Sequence, residues 1–143
     1  MDYTATYPTS IAIDERVKEF ISTFYAISDH ASRNDEWVDC FMPDAVLAIG
    51  EKRVKGIDEI RELRKGMWET VKSRKHSLEK VFPAAFESFR SESGQQFEYM
   101  LYGSVDYELK SAEKTAAQWA ARAVLVNHEG KLKYVFYQIY IHP

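Results

Sequence analysis

With Cys40 as its only cysteine, this 143-residue chain can form no internal disulfide, and nothing in it calls for an oxidising compartment. No run of five or more like charges occurs, and the formal net charge is only -3, so nucleic acid is not an expected partner. No segment reaches the roughly 18 continuous apolar residues of a membrane span, so no membrane partner is expected either. Residues 1–10 contain no basic side chain and no apolar core of the secretory type, and the expected location is cytoplasmic. The six glycines never cluster, which leaves out phosphate loops and dinucleotide fingerprints. His30, His76, His128 and His142 lie far apart in the chain, in no metal-ligand spacing. The expectation is therefore no metal and no cofactor, with any catalysis left to side-chain acids, bases and hydrogen-bond donors.

Aromatic residues, by contrast, are plentiful: nine Tyr, eight Phe and three Trp make up 14% of the chain. Such rings suit the walls of a pocket for a small hydrophobic or aromatic organic molecule, and equally a packed core with a dimer face. A hydrophobic content of 45% is ample for one core, so residues 1–143 read as a single domain with residues 1–10 as a loose N-terminal arm.

Val17, Phe20, Ile21, Phe24 and Tyr25 fall at helical spacing, with Asp14 and Glu15 at the end where the macrodipole favours negative charge; this predicts a helix over about 11–30. Asn34 reads as the N-cap of a short second helix running through Trp37 and Cys40 to Pro43. Residues 45–55 read as a hairpin about Gly50. Ile57, Ile60, Leu63, Met67 and Val71 predict a third helix, within which Gly66 points to close packing. Four long strands follow, near 76–90, 95–110, 116–127 and 131–141, with Pro83 and Gly103 as the places for bends or bulges. Strands this long must curve to stay with a small core. The fold class is α+β: three N-terminal helices wrapped by a cone-shaped, curved antiparallel or mixed sheet that encloses a cavity.

This order of elements, over about Ile11 to Ile141, resembles the SnoaL-like polyketide cyclases of the superfamily named after nuclear transport factor two. Locally, Phe24-Tyr25-Ala26-Ile27-Ser28-Asp29, Leu63-Arg64-Lys65-Gly66-Met67-Trp68, Ser73-Arg74-Lys75-His76 and Phe136-Tyr137-Gln138-Ile139-Tyr140 resemble small fungal natural-product members. The resemblance implies a cofactor-independent cyclase, isomerase, dehydratase or hydrolase acting on a polyketide- or terpenoid-like intermediate. It also implies a homodimer that pairs through outer sheet faces. The alternative within the same fold is a non-catalytic ligand carrier or homodimeric adaptor.

His76 opens the first long strand, at what resembles the place of a pocket histidine in scytalone dehydratase; an imidazole there is either the principal acid and base or a core histidine. Tyr25 and Asp29, four apart, share a helix face, and Asp29 is either a partner to His76 or a simple cap. On the second long strand, Tyr102 and Asp106 lie on one polar face, directed either to the cavity, as oxyanion donor and base, or to solvent. Trp119 and Arg122 sit on opposite faces of the third long strand, and Arg122 needs a carboxylate, a ligand or a dimer partner. Tyr137 and Tyr140 point to opposite faces of the last strand, so at most one lines the cone. Trp68 closes the cone from the helix side or is plain core.

Overall fold

The computed structural model describes residues 3–84, 90–91 and 94–142. Helix α1 (Glu15–Ser28) is started by Asp14, whose carboxylate accepts from the Arg16 backbone N–H and so satisfies one of the open donors of the first turn. A 3-10 turn (Ala31–Arg33) leads into α2 (Asn34–Asp39). The hairpin strands β1 (Phe41–Ile49) and β2 (Lys52–Lys55) precede α3 (Ile57–Gly66). Then come β3 (Val71–Pro83), the short β4 (Arg90–Ser91), β5 (Gly94–Leu109), β6 (Lys114–His128) and β7 (Lys131–His142). Most of the expected helices and strands stand, with three corrections to the elements. Pro43 lies inside β1 rather than ending a helix. Helix α3 stops at Gly66, and Val71, which shares its helical spacing, opens β3 instead. An added Cβ at Gly66 would meet nothing within 4 Å, so that glycine marks the last residue of the helix and not close packing. The far end of the first expected long strand includes residues 85–89, which lie outside the described residues.

The sheet runs β2-β1-β7-β6-β5-β3, with β4 paired to β5. It is mixed, because β1 and β7 are parallel while the other pairs are antiparallel. Its bend is visible at Leu78/Lys80, where the β3 register shifts beside Gly103. There a Cβ on residue 103 would lie 2.0 Å from the Ser77 carbonyl oxygen, so only glycine lets the two backbones approach.

Inside the curve, α1 and α2 bring Phe24, Tyr25 and Trp37 against Phe41, Tyr99, Tyr134 and Tyr137, all of them buried. Rings such as Phe24 and Tyr134 meet edge to face, with centroids 4.9 Å apart. The expected open hollow is corrected here: aromatic side chains occupy this interior. Polar atoms remain within it. The Tyr25 and Tyr137 hydroxyls hydrogen-bond at 2.7 Å, and the buried hydroxyls of Tyr99 and Tyr134 lie close to each other. The N-terminal arm, expected to be loose, is docked at its described end. Thr6 pairs with the sheet edge, its N–H donating to the Glu79 carbonyl and its carbonyl accepting from Val81, and Ala5 is buried. No helix among the described residues is long and apolar enough to cross a membrane.

Candidate active site at Asp29 and His76

Asp29 is the C-cap of α1, and His76 lies in the edge strand β3 that closes over it. The His76 Nδ1 is 2.5 Å from Asp29 Oδ1, and the His76 backbone N–H donates to Oδ2 at 2.9 Å. A third donor comes from the docked arm, where the Tyr3 hydroxyl reaches Oδ2 at 2.7 Å. The Lys75 ammonium sits 3.7 Å from the centre of the Tyr3 ring. Side-chain exposure is 3% for Asp29 and 14% for His76, so the carboxylate is sealed while the imidazole keeps an opening to solvent.

Burial opposes charge on both groups, and the hydrogen bonds decide which one yields. For Asp29, burial alone would raise the pKa; the His76 ring, the Tyr3 hydroxyl and the His76 backbone N–H outweigh it and hold the carboxyl below its ordinary range. For His76, burial dominates and lowers the pKa below 6.5; the bond to Asp29 pulls the other way, and the charges of Arg74 and Arg64 push it further down. The pair at neutral pH is thus a carboxylate and a neutral imidazole. Its short contact then requires the proton on Nδ1, which leaves Nε2 as a free lone pair. Tyr25 and Trp119 flank the imidazole with ring centroids 5.2 and 5.6 Å away, and stack on each other at 5.1 Å.

Behind this pair lie two arginines that sequence reasoning did not single out. Arg64 of α3 is completely buried, with Nε donating to Asn34 Oδ1 at 2.6 Å and Nη2 to the Ser28 and His30 carbonyls at 3.1 and 3.2 Å. It thereby satisfies open acceptors at the end of α1, where the macrodipole favours a cation, and fixes the turn that carries Asp29. Arg74, two residues before His76 and so on the same strand face, donates through Nη2 to the Met67 carbonyl at 2.8 Å. Trp68 packs against both guanidinium groups, 5.3 Å from Arg64 and 4.7 Å from Arg74. Two signals were available: Arg64 falls four residues after Ile60 in the apolar stripe of α3, and Arg74 shares the parity of His76. Tyr3 had none, because its contact with Asp29 spans 26 residues.

Cross-strand partners share a face, and this sorts the remaining candidates. His76 is opposite Val105, so Lys75 and Asp106 face outward together, and Asp106 is exposed. Gly103 and Trp119 are partners on the inner face, which sends Tyr102, Ala120 and Tyr140 to the outer one. Arg122, in register with Met100 and Gln138, also faces outward; Glu98 accepts its Nε–H at 2.8 Å and the Phe136 ring lies 4.9 Å away. Of the residues expected at the site, the structure brings together Asp29, His76, Tyr25, Trp119 and, by way of Tyr25, Tyr137. Trp68 joins through the arginines. Asp106, Tyr102, Arg122 and Tyr140 are not part of it. The outer row instead lines a 440 Å³ cleft between Phe82, Met100, Tyr102 and Arg122, and a 590 Å³ cleft between Tyr102, Gln118 and Tyr140.

No protein-family model matches the sequence, and no curated protein matches it. Solved structures do match in three dimensions. A candidate aromatic ring hydroxylase from Novosphingobium aromaticivorans is similar with a TM-score of 0.77 and 17% identity, over 92% of this chain and 94% of that one. A candidate scytalone dehydratase from the same organism has a TM-score of 0.73 and 11% identity, over 90% and 83%. The hexachlorocyclohexane dehydrochlorinase LinA type 2 has a TM-score of 0.73 and 12% identity, over 90% and 84%. At these identities the likeness is one of architecture: the chain has the α+β fold shared by proteins like that of nuclear transport factor two.

Proposed function

We propose that this is a SnoaL-like, cofactor-independent enzyme of the isomerase, cyclase or dehydratase type, acting on a small aromatic or polyketide-like substrate at the opening beside His76. The observation that carries this reading is the short contact between His76 Nδ1 and Asp29 Oδ1 at an imidazole that is still partly exposed. In this reading Nε2 removes a proton from carbon next to a carbonyl group, and the C–H electron pair moves into the carbonyl as an enolate. Asp29 stabilises the imidazolium that forms. The proton then returns to another carbon, to the alkoxide of a closed ring, or to a departing hydroxyl, which leaves as water. Two of the similar folds bear the names of eliminations, a dehydratase and a dehydrochlorinase, which also remove a proton from carbon.

Deuterium uptake from D2O into cyclic 1,3-diketones and hydroxytetralones tests this without knowledge of the natural substrate. His76→Ala and Asp29→Asn should each slow uptake by at least about 100-fold. Equal uptake by the His76→Ala protein would sink the assignment. A second reading, a non-catalytic module, is favoured by the ring-filled interior; it predicts no uptake by the native protein on any probe. Under either reading we propose a homodimer through the outer face, where Phe82, Met100, Tyr102 and Tyr140 are exposed. Sedimentation of a clean monomer at micromolar concentration would contradict it.

A further inference from the structure

The buried basic cluster behind the candidate base is unfinished as a set of hydrogen bonds. Arg64 Nη1, Arg74 Nη1 and Trp68 Nε1 are all shut away from water and have no hydrogen-bond partner. All three atoms are donors and none is an acceptor, so they cannot satisfy one another. Buried N–H groups in folded proteins are nearly always paired, and a buried guanidinium without a counter-charge is costly. Among the described residues neither arginine belongs to an ion pair. The Tyr107 ring lies against the Arg74 guanidinium, its centroid 5.3 Å away, and Tyr107 supports the charge of that arginine against burial, but Nη1 itself has no hydrogen-bond partner.

The charge balance points the same way. Asp29 is the carboxylate whose field both arginines feel, and with His76 neutral one of the two guanidinium charges has no counterpart. Three buried donors and an excess of one positive charge match a group that carries one negative charge on acceptor oxygens.

We propose that Arg64, Arg74 and Trp68 form the receptor for one carboxylate group of the substrate, bound beside His76. The proposal rests on the reading of His76 as the reacting base and adds the substrate class, an organic monocarboxylate. A guanidinium presents paired N–H groups that match a carboxylate, and the indole N–H adds a third direction. Trp68, in the turn between α3 and β3, has its ring against both guanidinium groups, so binding at them should register in tryptophan fluorescence.

The test is a titration of the full chain in chloride-free buffer with sodium benzoate, with its neutral twin benzamide, and with sodium chloride, read by fluorescence and calorimetry. Benzoate should bind at least about 10-fold more tightly than benzamide, and Arg74→Gln should remove that preference. Trp68→Phe keeps both positive charges and lacks only the indole N–H; it should weaken benzoate a few-fold as read by calorimetry, with circular dichroism reporting that the fold is intact. Benzoate preference without deuterium uptake by the native protein would count against the acid–base reading alone, and uptake without benzoate preference would overturn the carboxylate site alone, so the two failures appear in different measurements. Equal binding of benzoate and benzamide would overturn the proposal. So would unchanged benzoate affinity in Arg74→Gln, or saturation by chloride that benzoate cannot displace, which would make the cluster the seat of a permanent inorganic ion.

Discussion

Replacing Asp29 by Asn is the most informative single perturbation, because the carboxylate accepts from three donors at once: the Tyr3 hydroxyl, the His76 backbone N–H and the His76 ring. An Asn side chain has one carbonyl oxygen, which serves two donors at most, and its amide would confront the third. A hydrogen bond to a charged acceptor contributes about 1.5–3 kcal/mol and a neutral one about 0.5–1.5, so one bond is lost outright and two are weakened. The sum is about 3–5 kcal/mol, the range found when one partner of a buried charged pair is removed. Measured against the usual 5–15 kcal/mol of a small domain, the variant should fold but with a clearly lower urea midpoint. Its chemistry should change as well. If the Asn amide faces the ring, Nδ1 must accept, the proton moves to Nε2 and the open lone pair disappears. Nitrogen-15 NMR of the imidazole reports that tautomer directly, and the His76 pKa should fall further once the attraction of Asp29 is gone while both arginine charges remain. A loss below about 1 kcal/mol with the proton still on Nδ1, or a His76 pKa that rises, would refute this account of the pair.

Acid should weaken the protein in two steps. His76 and Asp29 both have lowered pKa values in the fold, so the unfolded chain binds protons more readily. The contribution of His76 is complete above its ordinary 6.5 and is lost as pH falls through the lower folded value; that of Asp29 is lost in the same sense below its ordinary 3.8. Urea midpoints at pH 7.5 and 5.5 should show the first step in the native protein and less of it in His76→Gln. Tyr137→Phe should cost about 1–3 kcal/mol by leaving the Tyr25 hydroxyl buried alone, and the double change Tyr25→Phe/Tyr137→Phe should recover part of that; strictly additive losses would rule out the pairing. Gly103→Ala places a Cβ against the Ser77 carbonyl and should cost at least about 1–3 kcal/mol, with faster amide exchange along β3; native stability would disprove the close approach.

The α+β class, the order of elements and the positions of the last three long strands were legible because they rest on local periodicity, 3.6 residues for α1 and 2 for β5 and β6. His76 and Asp29 were also legible as residue types, and their pairing stood there as one of two alternatives that only the tertiary contact decided. Periodicity fails where one pattern serves two structures: Val71 continues the helical spacing of α3 and also begins the alternation of β3. It fails again on β5, where alternation reveals two faces without saying which is inside. The answer depends on Gly103 approaching Ser77 and on Val105 lying opposite His76, contacts between residues 26 and 29 positions apart. For that reason Asp106 and Tyr102, plausible from composition, belong to the outer surface.

Thus the sequence alone determined an α+β fold rich in rings, with an acid and an imidazole as its chemical candidates, because short-range spacing encodes helices and strands. Tertiary structure alone decided that the interior is filled, that Tyr3 caps Asp29, and that Arg64 and Arg74 lie buried beside His76. Burying an arginine becomes tolerable only when distant carbonyls and aromatic faces converge on it, and no local pattern records that convergence.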